Sequence, residues 1–311
     1  MFAVAAITLL GSNGILLAAS IEPGSADSSV EVAAGAEWIS LMSLILTPVS
    51  ILVLWRTQCW RLRAPNGPLV SPWRIPPVAS LGMFGLALLG GGLAASMIPP
   101  SWIPPTTAPL RSTALIGWAA TAGSLLFCVP ALLLAENLPL PKGATPPVRT
   151  PRGISMGVVG FLLAIPLIET GAILGQIVQQ WLSATTPNLI AHETLGALVS
   201  VTPDIWWWMV AANAVIGAPV IEEILYRGFL QQAFRRAGAG AWPAILLTGS
   251  IFSLMHYAVL PPDTAISAMT ALLLLAIALG MIRERTGRIA PCMVAHGMFN
   301  ALNLGLALWL T

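Results

Sequence analysis

The sequence predicts an all-α, polytopic helical membrane protein, from its composition, the length of its apolar runs and the position of its tryptophans. Of the 311 residues, 57% are hydrophobic and only 8% are charged, whereas soluble domains carry roughly 25% charged residues. The apolar runs repeat at about 20 residues, the length that a helix needs to cross a bilayer. Tryptophans gather at both sets of segment ends, as they do at membrane interfaces.

Eight apolar segments are long enough to be membrane helices. They cover residues 37–55, 78–98, 113–135, 153–182, 205–230, 241–260, 264–282 and 289–310. A ninth, weaker segment covers 1–20 and is either an extra N-terminal helix or a cleaved signal peptide. Ala18, Ala19 and Ser20 would suit cleavage, but the segment has no Lys or Arg at its start, so we expect a retained helix.

The basic residues fall in alternate loops, and this distribution orients the chain in the membrane. Arg and Lys follow the first, third, fifth and seventh segments, and the other loops hold only Arg111. By the positive-inside rule the basic loops are cytoplasmic, and the last helix ends on the non-cytoplasmic side. Topology alone accounts for the basic clusters, so the expected surroundings are the lipid bilayer and no nucleic-acid partner is expected.

Polar composition divides the chain into two membrane regions. Residues 1–136 have almost no polar residues inside their segments and are interpreted as an accessory N-terminal membrane region. Residues 137–152 are rich in Pro and form a predicted cytoplasmic linker loop. Residues 153–311 hold the intramembrane ionisable groups and form the predicted functional core.

One stretch, 205–236, is too long for a single straight span. As an α-helix it would run ~48 Å, against a hydrocarbon core of ~30 Å. Gly217 and Pro219 lie in its middle, and proline removes a backbone donor and kinks a helix. We therefore expect a break there, with Glu222 and Glu223 in the turn that follows.

Three short blocks place ionisable and amide side chains inside apolar segments. Glu222, Glu223 and Arg227 form the first block, His256 ends the second, and His296 and Asn300 form the third. A charge at membrane depth is costly, so such residues are functional by default and have a partner nearby. Two carboxylates, two histidines and an amide are the components of an acid/base active site.

Helical spacing separates the roles that these side chains can take. Glu223 and Arg227 are an i,i+4 pair in the favourable order. A structural ion pair is enough to explain both residues without a role in chemistry. Glu222 points away and lacks such a partner, so it is the better candidate for chemistry. His296 and Asn300 also share a helix face and could donate two hydrogen bonds to one oxyanion. The alternative is that all these groups only join helices by hydrogen bonds.

The three blocks resemble the pattern EExxxR, FxxxH, HxxxN of the CPBP intramembrane proteases, which include the type II CAAX prenyl endopeptidases and the bacterial Abi proteins. The resemblance covers about 205–305 and implies an eight-helix core with glutamate-based peptide hydrolysis that requires no metal. It further implies that Glu222 activates water with help from His256, and that His296 and Asn300 stabilise the oxyanion. Glu223 and Arg227 would support the site, and the substrate would be a membrane-associated protein or peptide.

Three alternatives stay open at the sequence level. Glu222, His256 and His296 could be three zinc ligands with an open fourth position, although the chain lacks HExxH. An ion-coupled transporter also uses broken helices with polar residues at the midplane. A non-catalytic membrane scaffold or immunity-type protein could keep the same fold. The three cysteines have no metal-ligand spacing and are interpreted as free thiols.

Overall fold

Helices make up almost all of the chain that the computed structural model describes, which is residues 26–64, 67–68, 75–102, 109–137, 147–183 and 193–309. The predicted ninth segment at 1–20 lies outside these residues. The helices before the core are α1 (Ala26–Arg56), α2 (Pro77–Ser96) and α3 (Pro109–Asn137), and the first core helix is α4 (Thr150–Ser183). Two-residue strands, β1 (Arg63–Ala64) and β2 (Gly67–Pro68), pair antiparallel between α1 and α2.

The remaining helices build the region where the polar blocks lie. They are α5 (Glu193–Val199), α6 (Ile205–Ala212), α7 (Ala218–Glu223), α8 (Gln231–Arg236), α9 (Ala241–His256), α10 (Ala265–Thr286) and α11 (Ala290–Trp309). Within the described residues, eight helical stretches are long and apolar enough to cross a membrane. They coincide with the eight predicted segments, so the predicted polytopic helical membrane fold is confirmed.

The predicted break near Gly217 and Pro219 is wrong. The stretch Ile205–Arg236 runs on as one helix, because π-helical turns at Asn213–Gly217 and Ile224–Leu230 connect α6, α7 and α8. Gly217 keeps right-handed helical backbone angles, with φ at −61°. A π turn bonds each N–H five residues back, so the helix continues past Pro219 although this residue has no N–H to donate. Glu222 and Glu223 therefore lie inside a continuous helix.

Helix α10 lies at the centre of the bundle, in contact with α4, α9 and α11. The first three helices, α1 to α3, pack directly against the helices that follow them in the chain. The Thr47 hydroxyl of α1 lies 2.8 Å from that of Thr170 in α4. From α3, Trp118 donates to the Met209 carbonyl at 2.9 Å. Helix α2 packs against the second π turn through Phe84 and Tyr226, whose ring centroids are 5.5 Å apart.

Glycines let α2 and α3 approach until their backbones touch. A Cβ added at Gly90 would meet the Phe127 ring, and one at Gly123 would meet the Gly90 carbonyl oxygen. Small residues at membrane-helix interfaces allow this close approach. Gly92 faces open space instead. The two kinds of glycine on this helix pair make a matched experiment.

We expect Gly123→Leu to destabilise the protein, because the new side chain must push the α2 backbone away. The expected loss in the free energy of unfolding is on the order of 1–3 kcal/mol, as for other overpacked interiors. Gly92→Leu should change it little. Unfolding in detergent micelles, followed by circular dichroism, compares the two variants with the wild type. Equal losses in both variants would contradict this packing.

Candidate active site

The polar blocks meet where α7, α9 and α11 pack together around the second π turn. Glu222, Glu223, His256 and His296 are all buried, with exposures of 6%, 0%, 1% and 0%. The structure joins Glu222, Glu223, Arg227 and His296 into one cluster. His256 adjoins this cluster through an aromatic ring, and Asn300 turns towards a backbone carbonyl.

Glu223 is the centre of the cluster because two cationic or hydrogen-bonding groups meet its Oε1 atom. Arg227 donates to this oxygen from Nη1 at 2.8 Å, which forms the expected i,i+4 ion pair. His296 Nδ1 lies 2.9 Å from the same oxygen. Arg227 also donates to the Ala276 carbonyl of α10 at 3.2 Å. Glu223 thereby ties α7, the π turn and α11 together and fixes the His296 ring.

The hydrogen bonds of the two imidazoles determine which nitrogen is available for chemistry. His256 Nδ1 lies 2.6 Å from the Phe252 carbonyl, and a carbonyl only accepts, so Nδ1 carries the proton. His296 Nδ1 donates in the same way to the Glu223 carboxylate. The Nε2 atoms of both rings are buried and have no hydrogen-bond partner in the part of the chain that the structure describes. Each histidine therefore presents a free Nε2 to the site.

Glu222 differs from Glu223 in that neither of its carboxylate oxygens has a hydrogen-bond partner among the described residues. The Nε2 atom of His296 lies 3.9 Å from Glu222 Oε2. An unpartnered polar group in an apolar interior costs free energy. This buried carboxylate is therefore poorly explained as a purely structural group.

Phe252 joins the parts of the site, a role that the sequence analysis did not assign. Its ring centroid is 4.6 Å from that of His256 and 6.0 Å from that of His296. The Arg227 guanidinium carbon lies 4.9 Å from the same ring, a cation–π contact. Tyr226 packs edge-on against it at 4.9 Å. The i,i+4 spacing of Phe252 and His256 is the signal that could have identified this packing.

Asn300 satisfies a backbone carbonyl that Pro219 leaves without a donor. In the π register the donor for the Ala214 carbonyl would be residue 219, and proline has no N–H. Asn300 Nδ2 donates to Ala214 O at 2.8 Å instead. Gly297 permits the approach, since a Cβ there would lie 2.8 Å from the Val215 carbonyl oxygen. One amide proton of Asn300 is thus engaged, and the other remains available.

Among the described residues, no group of three or more His, Cys, Asp or Glu side chains is placed to hold a metal ion. Cys59, Cys128 and Cys292 are free thiols. The two histidines do share one property of metal ligands. In each ring Nδ1 is hydrogen-bonded to a carbonyl or carboxylate oxygen, which leaves Nε2 free to bind. The set Glu222, His256 and His296 has suitable atoms without the ligand geometry.

Residues 204–302 match the family of type II CAAX prenyl endopeptidases described as Rce1-like. The match confirms the resemblance to the CAAX-protease family over about a third of the chain, and it includes all six residues of the three blocks. It supports an intramembrane protease of the CAAX type in general terms. No curated protein and no solved structure matches the chain.

We expect Arg227→Ala to lower stability strongly, because it leaves Glu223 as a buried carboxylate without its cation. Breaking one partner of a buried ion pair costs ~3–5 kcal/mol. The double variant Glu223→Gln with Arg227→Met removes both charges and should recover part of this loss. Unfolding in micelles measures all three proteins. A double variant less stable than Arg227→Ala would contradict the pairing.

Proposed function

We propose that this protein is an intramembrane endopeptidase that hydrolyses a peptide bond of a membrane-associated protein or peptide. The observation that supports the proposal best is the Glu222 carboxylate, which is buried, has no hydrogen-bond partner among the described residues and lies 3.9 Å from the free Nε2 of His296. A base must be within reach of the proton that it removes. A water between Glu222 and the histidines would meet that requirement.

In the proposed reaction Glu222 removes a proton from this water. The oxygen then adds to the carbonyl carbon of the scissile bond, and the carbonyl becomes a tetrahedral oxyanion. Collapse of this intermediate breaks the C–N bond, and the proton held by Glu222 passes to the leaving amine. His256 Nε2, which is free to accept, assists the transfer between water and amine.

His296 and Asn300 are proposed to stabilise the oxyanion. Because His296 Nδ1 is bound to Glu223, the ring can donate from Nε2 only when it carries both protons. Asn300 contributes its remaining amide proton, while its bond to Ala214 fixes the side chain. Preorganised donors of this kind are the usual means of oxyanion stabilisation.

The proposed location follows from the loops. The eight candidate spans support an integral, multi-pass membrane protein. We propose that the basic loops are cytoplasmic. Prenylated CAAX tails are one substrate class that the family match suggests. No metal is assigned a step, because the site residues lack the arrangement of a ligand set.

A purely structural role for the cluster, or an ion path, explains the geometry less well. Interhelical hydrogen bonding accounts for Glu223, Arg227 and Asn300, which all have partners. Interhelical hydrogen bonding does not explain why the Glu222 carboxylate is buried. An ion-coupled transporter was expected to use a broken helix, and the stretch Ile205–Arg236 is continuous.

We expect Glu222→Gln to reduce peptide cleavage by about 10²–10⁴-fold, the contribution of a general base. The change keeps the shape of the side chain, so insertion and unfolding temperature should remain near the wild type. Glu169→Gln makes the same chemical change in α4, a helix that holds none of the six residues of the three blocks, and should keep full activity. Cleavage of fluorogenic peptides, with and without a prenylated C-terminus, measures the rates. Undiminished cleavage by Glu222→Gln would exclude the general-base role.

A further inference from the structure

An apolar groove lies away from the candidate active site, between α1, α4 and α10. Its volume is about 400 Å³, within the range of ~300–1,000 Å³ typical of ligand sites. The walls include Val159, Leu163 and Leu167 of α4 and Leu274, Ile277 and Met281 of α10. None of the six residues of the three blocks lines it. The groove is therefore separate from the candidate active site.

The length of the groove matches one leaflet of a bilayer. From Leu274 to Thr286 it follows α10 for ~18 Å, and half of the hydrocarbon core is ~15 Å. Its walls are apolar along this length and its polar lining lies at one end. An acyl chain that enters from that end would fit along the wall.

Two arginines lie at the polar end of the groove, where α4 begins and α10 ends. Arg285 donates from Nε to the Cys59 carbonyl and from Nη2 to the Gln58 carbonyl, each at 2.9 Å. Carbonyls fix the guanidinium without neutralising it. Arg152 is exposed. Neither arginine is in an ion pair with the residues that the structure describes. Among the described residues, nothing therefore compensates the positive charge at this end of the groove.

We propose that this groove binds one anionic glycerophospholipid, from the leaflet on the side of the basic loops. The acyl chain would lie along the apolar wall, and the phosphate would meet Arg152 and Arg285. Basic pockets between membrane helices bind anionic head groups in this way. A zwitterionic choline lipid would bring its own cation to the two arginines and would bind less well. Lipid binding in this groove does not depend on the proposed peptidase activity.

Native mass spectrometry of the delipidated, full-length protein tests the head-group contact. The probes are dioleoyl phosphatidylglycerol and dioleoyl phosphatidylcholine at equal concentrations. We expect one phosphatidylglycerol to be retained in preference, and Arg152→Gln to weaken its binding about fivefold. Arg56→Gln changes another basic residue, at the end of α1 and outside the groove lining, and should leave binding unchanged. Equal retention of the two lipids, or equal loss in both variants, would overturn the proposal.

A second pair of variants tests the acyl chain. Val159→Trp places a large ring inside the groove, whereas Leu162→Trp places it on the same helix outside the groove lining. Both positions are exposed, at 54% and 60%, so both variants should fold, as their unfolding temperatures without lipid will verify. Only Val159→Trp should lose phosphatidylglycerol. Wild-type binding by Val159→Trp, or full displacement of the lipid by a prenylated peptide, would refute the assignment.

Discussion

The bond between Glu223 and two partners, Arg227 and His296, is the interaction on which the site depends. A carboxylate with no exposure inside a membrane protein is tolerable only when it is paired, and Oε1 of Glu223 is paired at 2.8 Å and 2.9 Å. The same bonds orient His296, so its Nε2 faces Glu222. Glu223 thus supplies the electrostatic support, and Glu222 is left free for chemistry.

The π-helical turns extend this arrangement to the backbone. Pro219 leaves the Ala214 carbonyl without a backbone donor. In the last helix Asn300 donates to that carbonyl, and the small Gly297 permits the close approach of the two helices. The second π turn carries Arg227 and Tyr226 towards the Phe252 ring. π turns often mark functional sites. Here they bring α7 and α11 close enough for His296 to contact both glutamates.

The sequence could predict the features that depend on local spacing. Apolar length predicted the eight spans, and i,i+4 spacing predicted the pair Glu223–Arg227. It could not predict the bond between His296 and Glu223, because those residues are 73 positions apart and only the packing of α11 brings them together. The predicted break at Pro219 was wrong. The rule that proline interrupts an α-helix does not apply where a π turn changes which carbonyl loses its donor.

The central claim is that the Glu222 carboxylate, and not a metal ion, activates the water. Removal of metal tests this claim most directly. Purified protein would be treated exhaustively with a chelator, its zinc content measured by elemental analysis, and its cleavage of a peptide assayed. If Glu222 activates the water, the chelated protein should cleave the peptide at an undiminished rate and should contain no stoichiometric zinc. Activity that is lost on chelation and restored by added zinc would contradict it, and would make Glu222, His256 and His296 metal ligands.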